Sequence, residues 1–251
     1  MAKLIILGSS NAIPDEKHEN THMAVVGDKR TVLIDCVSNP ILRLPQAGIE
    51  FNELTDLILT HFHPDHVSGV PLLLMNMWLL GRKNPLNIYG LHHTLSRIED
   101  LMGFYAWENW PNFFPVVFHR LPQEEMTPVL ENDEFRIISS PVMHMVPTIG
   151  LRVENLQSHK SIVYSCDTEP CAQVVRLAYG VNLLIHEATG VGFGHSSAAQ
   201  AAEIASEAGV DGLYLIHYQT RGFDTSAMVT EAQEKFRGKV ALAEDFMEIE
   251  F

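Results

Sequence analysis

Positive charge is scarce in this sequence. Its 251 residues carry 17 Lys and Arg against 31 Asp and Glu, a formal net charge of −14. A broad nucleic-acid surface needs clustered cations that neutralise several phosphates, so nucleic acid is a disfavoured partner, although a local basic groove fits on an acidic chain. Cysteine is scarce too. Cys36, Cys166 and Cys171 give no even disulfide framework. They read as reduced, mostly buried thiols. Cys166 is also a candidate metal ligand because it precedes Asp167, though the ligands described below suffice without it. Long apolar runs are missing. The longest, "VPLLLMNMWLL" at 70–80, is too short to span a bilayer and is interrupted by Asn76. The start, "MAKLIILGSS", enters a strand-like run without a cleavable signal pattern. A cytoplasmic protein without a membrane partner is expected. Linkers, low-complexity tracts and fixed-period repeats are lacking as well, and one α/β domain over 1–251 is the simplest organisation.

Short apolar runs bounded by turn residues recur along the chain. "KLIILG", "MAVVG", "TVLIDC", "DLILTH" and "LNIYG" read as strands in the first half, and "FRIISSPV", "TIGLRVE", "SIVYSCDT", "LLIHEA" and "LYLIHY" in the second. "HVSGVPLLLMNMWLLG" is apolar almost all round and predicts a buried helix, while "TLSRIEDLMGFY" is amphipathic. "SSAAQAAEIASEAG" opens on a Ser197…Gln200 capping-box spacing and closes on Gly209. "TSAMVTEAQEKF" reads as a surface helix with Asp224 as N-cap. The alternation is too irregular for one doubly wound sheet. Two sheets packed face to face with helices outside fit better. Residues 103–118 hold seven aromatics, which read as a loop pinned to the core or as a lid or dimer contact.

The chemistry concentrates in "LILTHFHPDHVSG", residues 57–69. His61 and His63 lie two apart and can converge on one ion. Asp65 and His66 lie beyond the Pro64 turn and can serve a second. Imidazole and carboxylate suit zinc, manganese or iron. Four ligands exceed the three that an open catalytic site normally takes, so two ions sharing ligands is the economical arrangement. His144, Asp167 and His217 each close another strand-like run and are the remaining ligand candidates.

This His-x-His-x-Asp-His pattern, followed by a distant His, Asp and His, resembles the metallo-β-lactamase superfamily. "HEAT" at 186–189 with "GHSSAAQAAEIA" and "LIHYQTR" resembles its ribonuclease Z group. The resemblance implies an αβ/βα four-layer sandwich, with two mixed β-sheets flanked by helices. It also implies two divalent ions per chain. His61, His63 and His144 would hold one, Asp65, His66 and His217 the other, with Asp167 bridging and a hydroxide between the ions as nucleophile. Asp65 would also orient that water. Two ions about 3.5–4 Å apart suit an in-line displacement at phosphorus. A homodimer is a further implication, with the helix 66–81 and the aromatic segment as its surface.

His195 precedes the Ser197-capped helix, beside free backbone N–H groups, where a phosphate oxygen is welcome. It is the candidate proton donor or phosphate clamp. Glu187, at the end of "LLIHEA", is the candidate acceptor of its other ring N–H, which favours the imidazolium. His186 falls on the opposite strand face and reads as structural. His92 and His93 read as a surface turn. His18 and His22 sit in the loop after the first strand, where they are weak candidates for substrate contact.

The sequence departs from ribonuclease Z in two respects. That group carries a tRNA-gripping arm between the segments matching His144 and Asp167. Here the two residues are 23 positions apart, and the interval reads as two strands and one turn. The metal and acid machinery without the arm favours hydrolysis of a small or cyclic phosphodiester. A tRNA 3′-endonuclease is the alternative, and an aryl sulfate, ester or lactone hydrolase comes after it. The glycine usual before the bridging aspartate is Cys166 here, a change expected to leave the ligand undisturbed.

Overall fold

The computed structural model describes residues 2–251. The first half forms a seven-stranded sheet of β1 (Lys3–Gly8), β2 (His22–Val26), β3 (Thr31–Ile34), β4 (Leu54–Ile58), β5 (Leu86–Leu91) and β6 (Val116–Leu121), completed by the C-terminal β14 (Glu248–Glu250). The second half forms another seven-stranded sheet from β7 (Thr127–Glu131), β8 (Phe135–Val142), β9 (Thr148–Asn155), β10 (Ser161–Tyr164), β11 (Leu183–Glu187), β12 (Gly212–Ile216) and β13 (Lys239–Leu242). In each sheet four consecutive strands run parallel, β3 to β6 and β10 to β13, and the rest pair antiparallel. Helices α1 (Pro40–Gln46), α2 (Pro64–Val67), α3 (Val70–Leu79) and α4 (His92–Phe104) lie in the first half. Helices α5 (Ala172–Ala178), α6 (Ala198–Ala208) and α7 (Ser226–Gln233) lie in the second.

The near-continuous apolar strands follow from burial on both faces. Along β1, Leu4 and Ile6 point into the layer between the sheets, where they join Phe135, Ile137 and Leu151. Their neighbours Ile5 and Leu7 point the other way, under Leu73, Leu74 and Leu95 of α3 and α4. The second sheet repeats this alternation. Ile162 and Tyr164 face the inter-sheet core, while Val163 packs with α5 and α6. The result is the expected four-layer sandwich of two mixed sheets flanked by helices.

Several local expectations hold. Ser197 and Gln200 form the capping box of α6, and Gly209 ends that helix in the left-handed conformation at φ +66°. The interval between His144 and Asp167 holds β9, a turn and β10. Others need correction. Residues 66–81 do not form one buried helix. The chain breaks between α2 and α3, and Leu72, Leu79 and Leu80 are exposed because only one side of α3 faces the sheet. Gly69 lies at the break, where a Cβ would lie 2.7 Å from the Val37 backbone, so glycine lets the two segments pass this closely. Thr225, not Asp224, is the N-cap of α7, although the Asp224 carboxylate accepts from Ser226 N–H. His92 and His93 are the first two residues of α4 rather than a turn. In the aromatic segment, Phe114 is buried, Trp110 stacks on Trp78, and Trp78 Nε1–H donates to the Pro111 carbonyl. Phe104 and Tyr105 stay exposed.

His22 belongs to β2 and is buried, its ring bonded to the Asn20 carbonyl, so it is no substrate contact. Burial pushes its imidazole down to about 4 despite that hydrogen bond. An unfolded histidine takes its proton near pH 6.5. Stability from a neutral buried His22 is therefore full above that pH and is lost as pH falls towards 4. In urea titrations, His22→Gln is expected to remove about 3 kcal/mol from the loss of stability between pH 7 and 4. An unchanged pH slope would assign that loss elsewhere.

Candidate metal centre

The site lies where the C-terminal ends of the parallel strands of both sheets meet. His61, His63, Asp65 and His66 follow β4. His144 follows β8, Asp167 follows β10, and His217 follows β12. The fold brings all seven together in two groups that share Asp167, and a third group joins His61 and His66 with Cys166. Ligand atoms of His61, His63, His144 and Asp167 lie within 4.8 Å of one another, as do those of Asp65, His66, Asp167 and His217.

The outer nitrogens show which ring atoms face inward. His66 Nδ1–H donates to Asp35 Oδ2 at 2.7 Å. His144 Nδ1–H donates to the Gly194 carbonyl at 2.7 Å. The Thr60 hydroxyl donates to Asp35, which leaves its oxygen to accept from His61 Nδ1 at 3.1 Å. Each partner turns a bare Nε2 towards the centre, the arrangement by which an outer carboxylate or carbonyl orients a metal-binding imidazole. His61 Nε2 and His144 Nε2 then both point at His63 Nδ1, at 3.0 and 3.2 Å. Three nitrogen lone pairs converging this closely fit a cation.

Asp167 stands between the groups. Its Oδ2 is 3.9 Å from His61, 3.8 Å from His144 and 3.3 Å from His217. Its Oδ1 is 3.5 Å from His66 Nε2. Both Asp167 Oδ1 and His66 Nε2 are buried without a hydrogen-bond partner. Orphaned buried polar atoms are costly and rare, and an ion between them would satisfy both. The residues therefore fit a metal.

Protonation follows the same logic. Burial holds the imidazoles of His61, His63 and His144 below the usual range, so they present lone pairs. Burial opposes charge at His66 too, but Asp167 and Asp35 outweigh it and raise that ring well above the usual range. Burial likewise opposes the charge on Asp167, and His217 and His66 overcome it, holding the carboxyl well below the usual range. A cation bound here displaces the His66 proton.

His195 lies on the rim, its ring 5.1 Å from that of His144 and 6.1 Å from that of His217. Its Nδ1–H donates to Glu187 Oε1 at 3.0 Å. Burial works against its charge, and the Glu187 hydrogen bond and charge override it, so the imidazolium persists above its usual range. Glu187 is fully buried and also accepts from the N–H groups of Ser196, Thr168 and Thr189. His186 is buried on the other strand face, bonded to the Glu187 carbonyl. His18 pairs with Asp15 and lies edge-on to Tyr218, next to His217.

Sequence reasoning missed Asp35. It is fully buried at the end of β3, bonds both Thr60 and His66, and has φ +60°. An ionisable residue closing the buried run "TVLID" was the available signal. Cys166 and His217 share the left-handed conformation, both at φ +55°. That conformation costs a non-glycine residue roughly 1–2 kcal/mol, which explains why a glycine suits the place of Cys166. Cys166 Sγ stands 3.5 Å from His61 Nδ1 and forms a further candidate group with His61 and His66. Burial and the Asp167 charge push its thiol well up.

The Beta-lactamase superfamily domain matches residues 30–218. The chain is 29% identical to a ribonuclease Z of Methanothermobacter thermautotrophicus, over 100% of this chain and 97% of the relative. That alignment runs over 306 positions against 251 residues here, so the relative carries insertions that this chain lacks. Among solved structures, the metallo-β-lactamase fold protein YhfI of Bacillus subtilis superposes with TM-score 0.84 at 21% identity, covering 100% of this chain and 99% of that one. The short form of human tRNase Z superposes with TM-score 0.79 at 23% identity, covering 99% and 98%. Fold, motifs and full-length similarity agree: the chain belongs to the β-lactamase superfamily, as a hydrolase of its ribonuclease Z-like branch.

Proposed function

We propose that the chain is a phosphodiesterase using two metal ions, with RNA as the better-supported substrate. The observation that carries it is the pair of ligand groups sharing Asp167, faced by the His195–Glu187 pair. His61, His63 and His144 would hold one ion and Asp65, His66 and His217 the other, with zinc first in rank and manganese or iron as substitutes. Bound there, the ions would supply an activated water at neutral pH and offset charge on the phosphate oxygens. Asp65 would orient that water. His195 gives its Nε2 proton to the leaving oxygen, and Glu187 holds the ring and its charge.

RNA outranks the small or cyclic diester that the sequence placed first, because the full-length relative is a ribonuclease Z. The small diester keeps a specific support. β9 and β10 fill the interval between His144 and Asp167, leaving no arm there to spread cations along a tRNA. The reading includes a homodimer through the exposed Leu72, Leu79, Leu80, Phe104 and Tyr105. A turnover panel on metal-analysed protein tests the function. It comprises precursor tRNA, a 2′,3′-cyclic nucleotide, a bis-aryl phosphodiester, an aryl sulfate and a lactone. Specific cleavage at the tRNA 3′ end, with rates falling steeply as salt rises, is the expected result. Turnover of the cyclic or aryl diesters alone returns the small substrate to first place. Turnover of only the sulfate or the lactone ends the phosphodiesterase reading.

A further inference from the structure

The segment 190–195, "GVGFGH", joins Glu187 to His195, and its form is unusual. Residues 192–195 make a tight turn closed by His195 N–H donating to the Gly192 carbonyl at 3.2 Å. Gly194 takes the third turn position at φ +81°, which glycine adopts without strain. A Cβ at Gly194 would lie 2.7 Å from His144 Nδ1 and 3.3 Å from the Met145 side chain, so only glycine lets the turn sit this close to the metal centre. The turn is tied down at the same residue. Gly194 N–H donates to Glu169, and its carbonyl accepts from His144.

Phe193 occupies the second turn position and is 78% exposed; Val191 is 83% exposed. On the facing segment Met143 and Met145 flank His144 and are 51% and 50% exposed. A phenylalanine held in solvent on a pinned turn gains nothing for the fold, since it buries little apolar area. It stands two residues before the proposed proton donor, on a turn whose Gly194 lies against His144 and Met145. An aromatic ring with flexible thioethers nearby suits the flat face of a nucleobase, which stacks regardless of its hydrogen-bonding edge.

Resting on the phosphodiesterase reading, we infer that Phe193, with Val191, Met143 and Met145, forms a stacking platform. It receives a nucleobase joined to the reacting phosphate, and makes nucleotides preferred over plain alkyl phosphodiesters. Phe193 is the specificity-determining residue. Calorimetric titration of the metal-loaded protein with AMP and with ribose 5-phosphate isolates the base, because the two ligands differ only there. AMP is expected to bind about 5- to 100-fold more tightly, the worth of one base–aromatic stack. Phe193→Ala should erase that difference and leave ribose 5-phosphate binding unchanged, and Phe193→Trp should keep it. Phe193 makes little packing contact, so these variants are expected to fold. Turnover of methyl nitrophenyl phosphate, which has no base, is measured on the same preparations. Equal binding of the two ligands by the parent protein, or equal weakening of both by Phe193→Ala, overturns the platform while continued turnover leaves the phosphodiesterase reading intact. A change of sedimentation coefficient in Phe193→Ala also overturns it, in favour of a contact between copies of the chain. Absence of both phosphate binding and diester turnover sinks the two together.

Discussion

Asp167→Ala is expected to empty both metal positions and abolish turnover. Its two carboxylate oxygens face different groups, Oδ2 towards His61, His144 and His217 and Oδ1 towards His66. Removing it takes a negative charge from both ions and leaves the His66 imidazole without one of its two carboxylates. Loss of an outer hydrogen-bond partner typically lowers metal affinity about 10–100-fold, and loss of a shared inner carboxylate should exceed that at each position. His61→Ala, by contrast, should empty chiefly the position it shares with His63 and His144. Asp35→Asn, which acts through His66 and, by way of Thr60, through His61, should weaken chiefly the position that His66 serves, within the 10–100-fold range. Metal content after dialysis, measured with turnover of a nitrophenyl diester, separates the three variants. Two full equivalents of metal in Asp167→Ala would sink the bridging assignment.

The second large effect belongs to His195. A general acid contributes about 10²–10⁴-fold, and only where the leaving oxygen needs the proton. His195→Ala should keep its metal, lose little rate on a nitrophenyl diester, and lose most of that factor on a nucleoside or alkyl diester. The pH dependence has a definite sign. Burial disfavours the imidazolium, but Glu187 raises it above its usual range, so the acid form is present at neutral pH and is lost as pH rises. The alkaline limb of the pH–rate profile should therefore fade in His195→Ala while the acidic limb remains. Equal slowing of both substrate types would make His195 a phosphate clamp. No slowing of either would remove it from the reaction. Glu187 should be tested as Glu187→Gln. The alanine variant would strand three backbone N–H donors as well as the ring, and an unpaired buried donor costs about 1–3 kcal/mol.

The sequence by itself determined the strands, the metal-ligand types and the lack of an arm. The strand signal survives without tertiary information because strands buried on both faces are apolar almost throughout, as "KLIILG" and "SIVY" show. The candidate ligands were legible because they gather just beyond strand-like runs, at the ends of β4, β8, β10 and β12. The fold places the same residues within reach of one another, together with Cys166 beside His61 and His66. Tertiary structure decided the rest. Asp35 reads as an ordinary strand-end acid until β3 is placed beside β4, where its carboxylate meets Thr60 and His66. The side of α3 that stays in solvent depends on how the helix rests on the sheet, which a uniformly apolar sequence does not encode. His22 and His18 look alike in sequence, and only the pairing of β1 with β2 buries one and leaves the other partly exposed. The apolar rim at Phe193 depends on Gly194 closing against His144, a contact between segments fifty residues apart that no local pattern records.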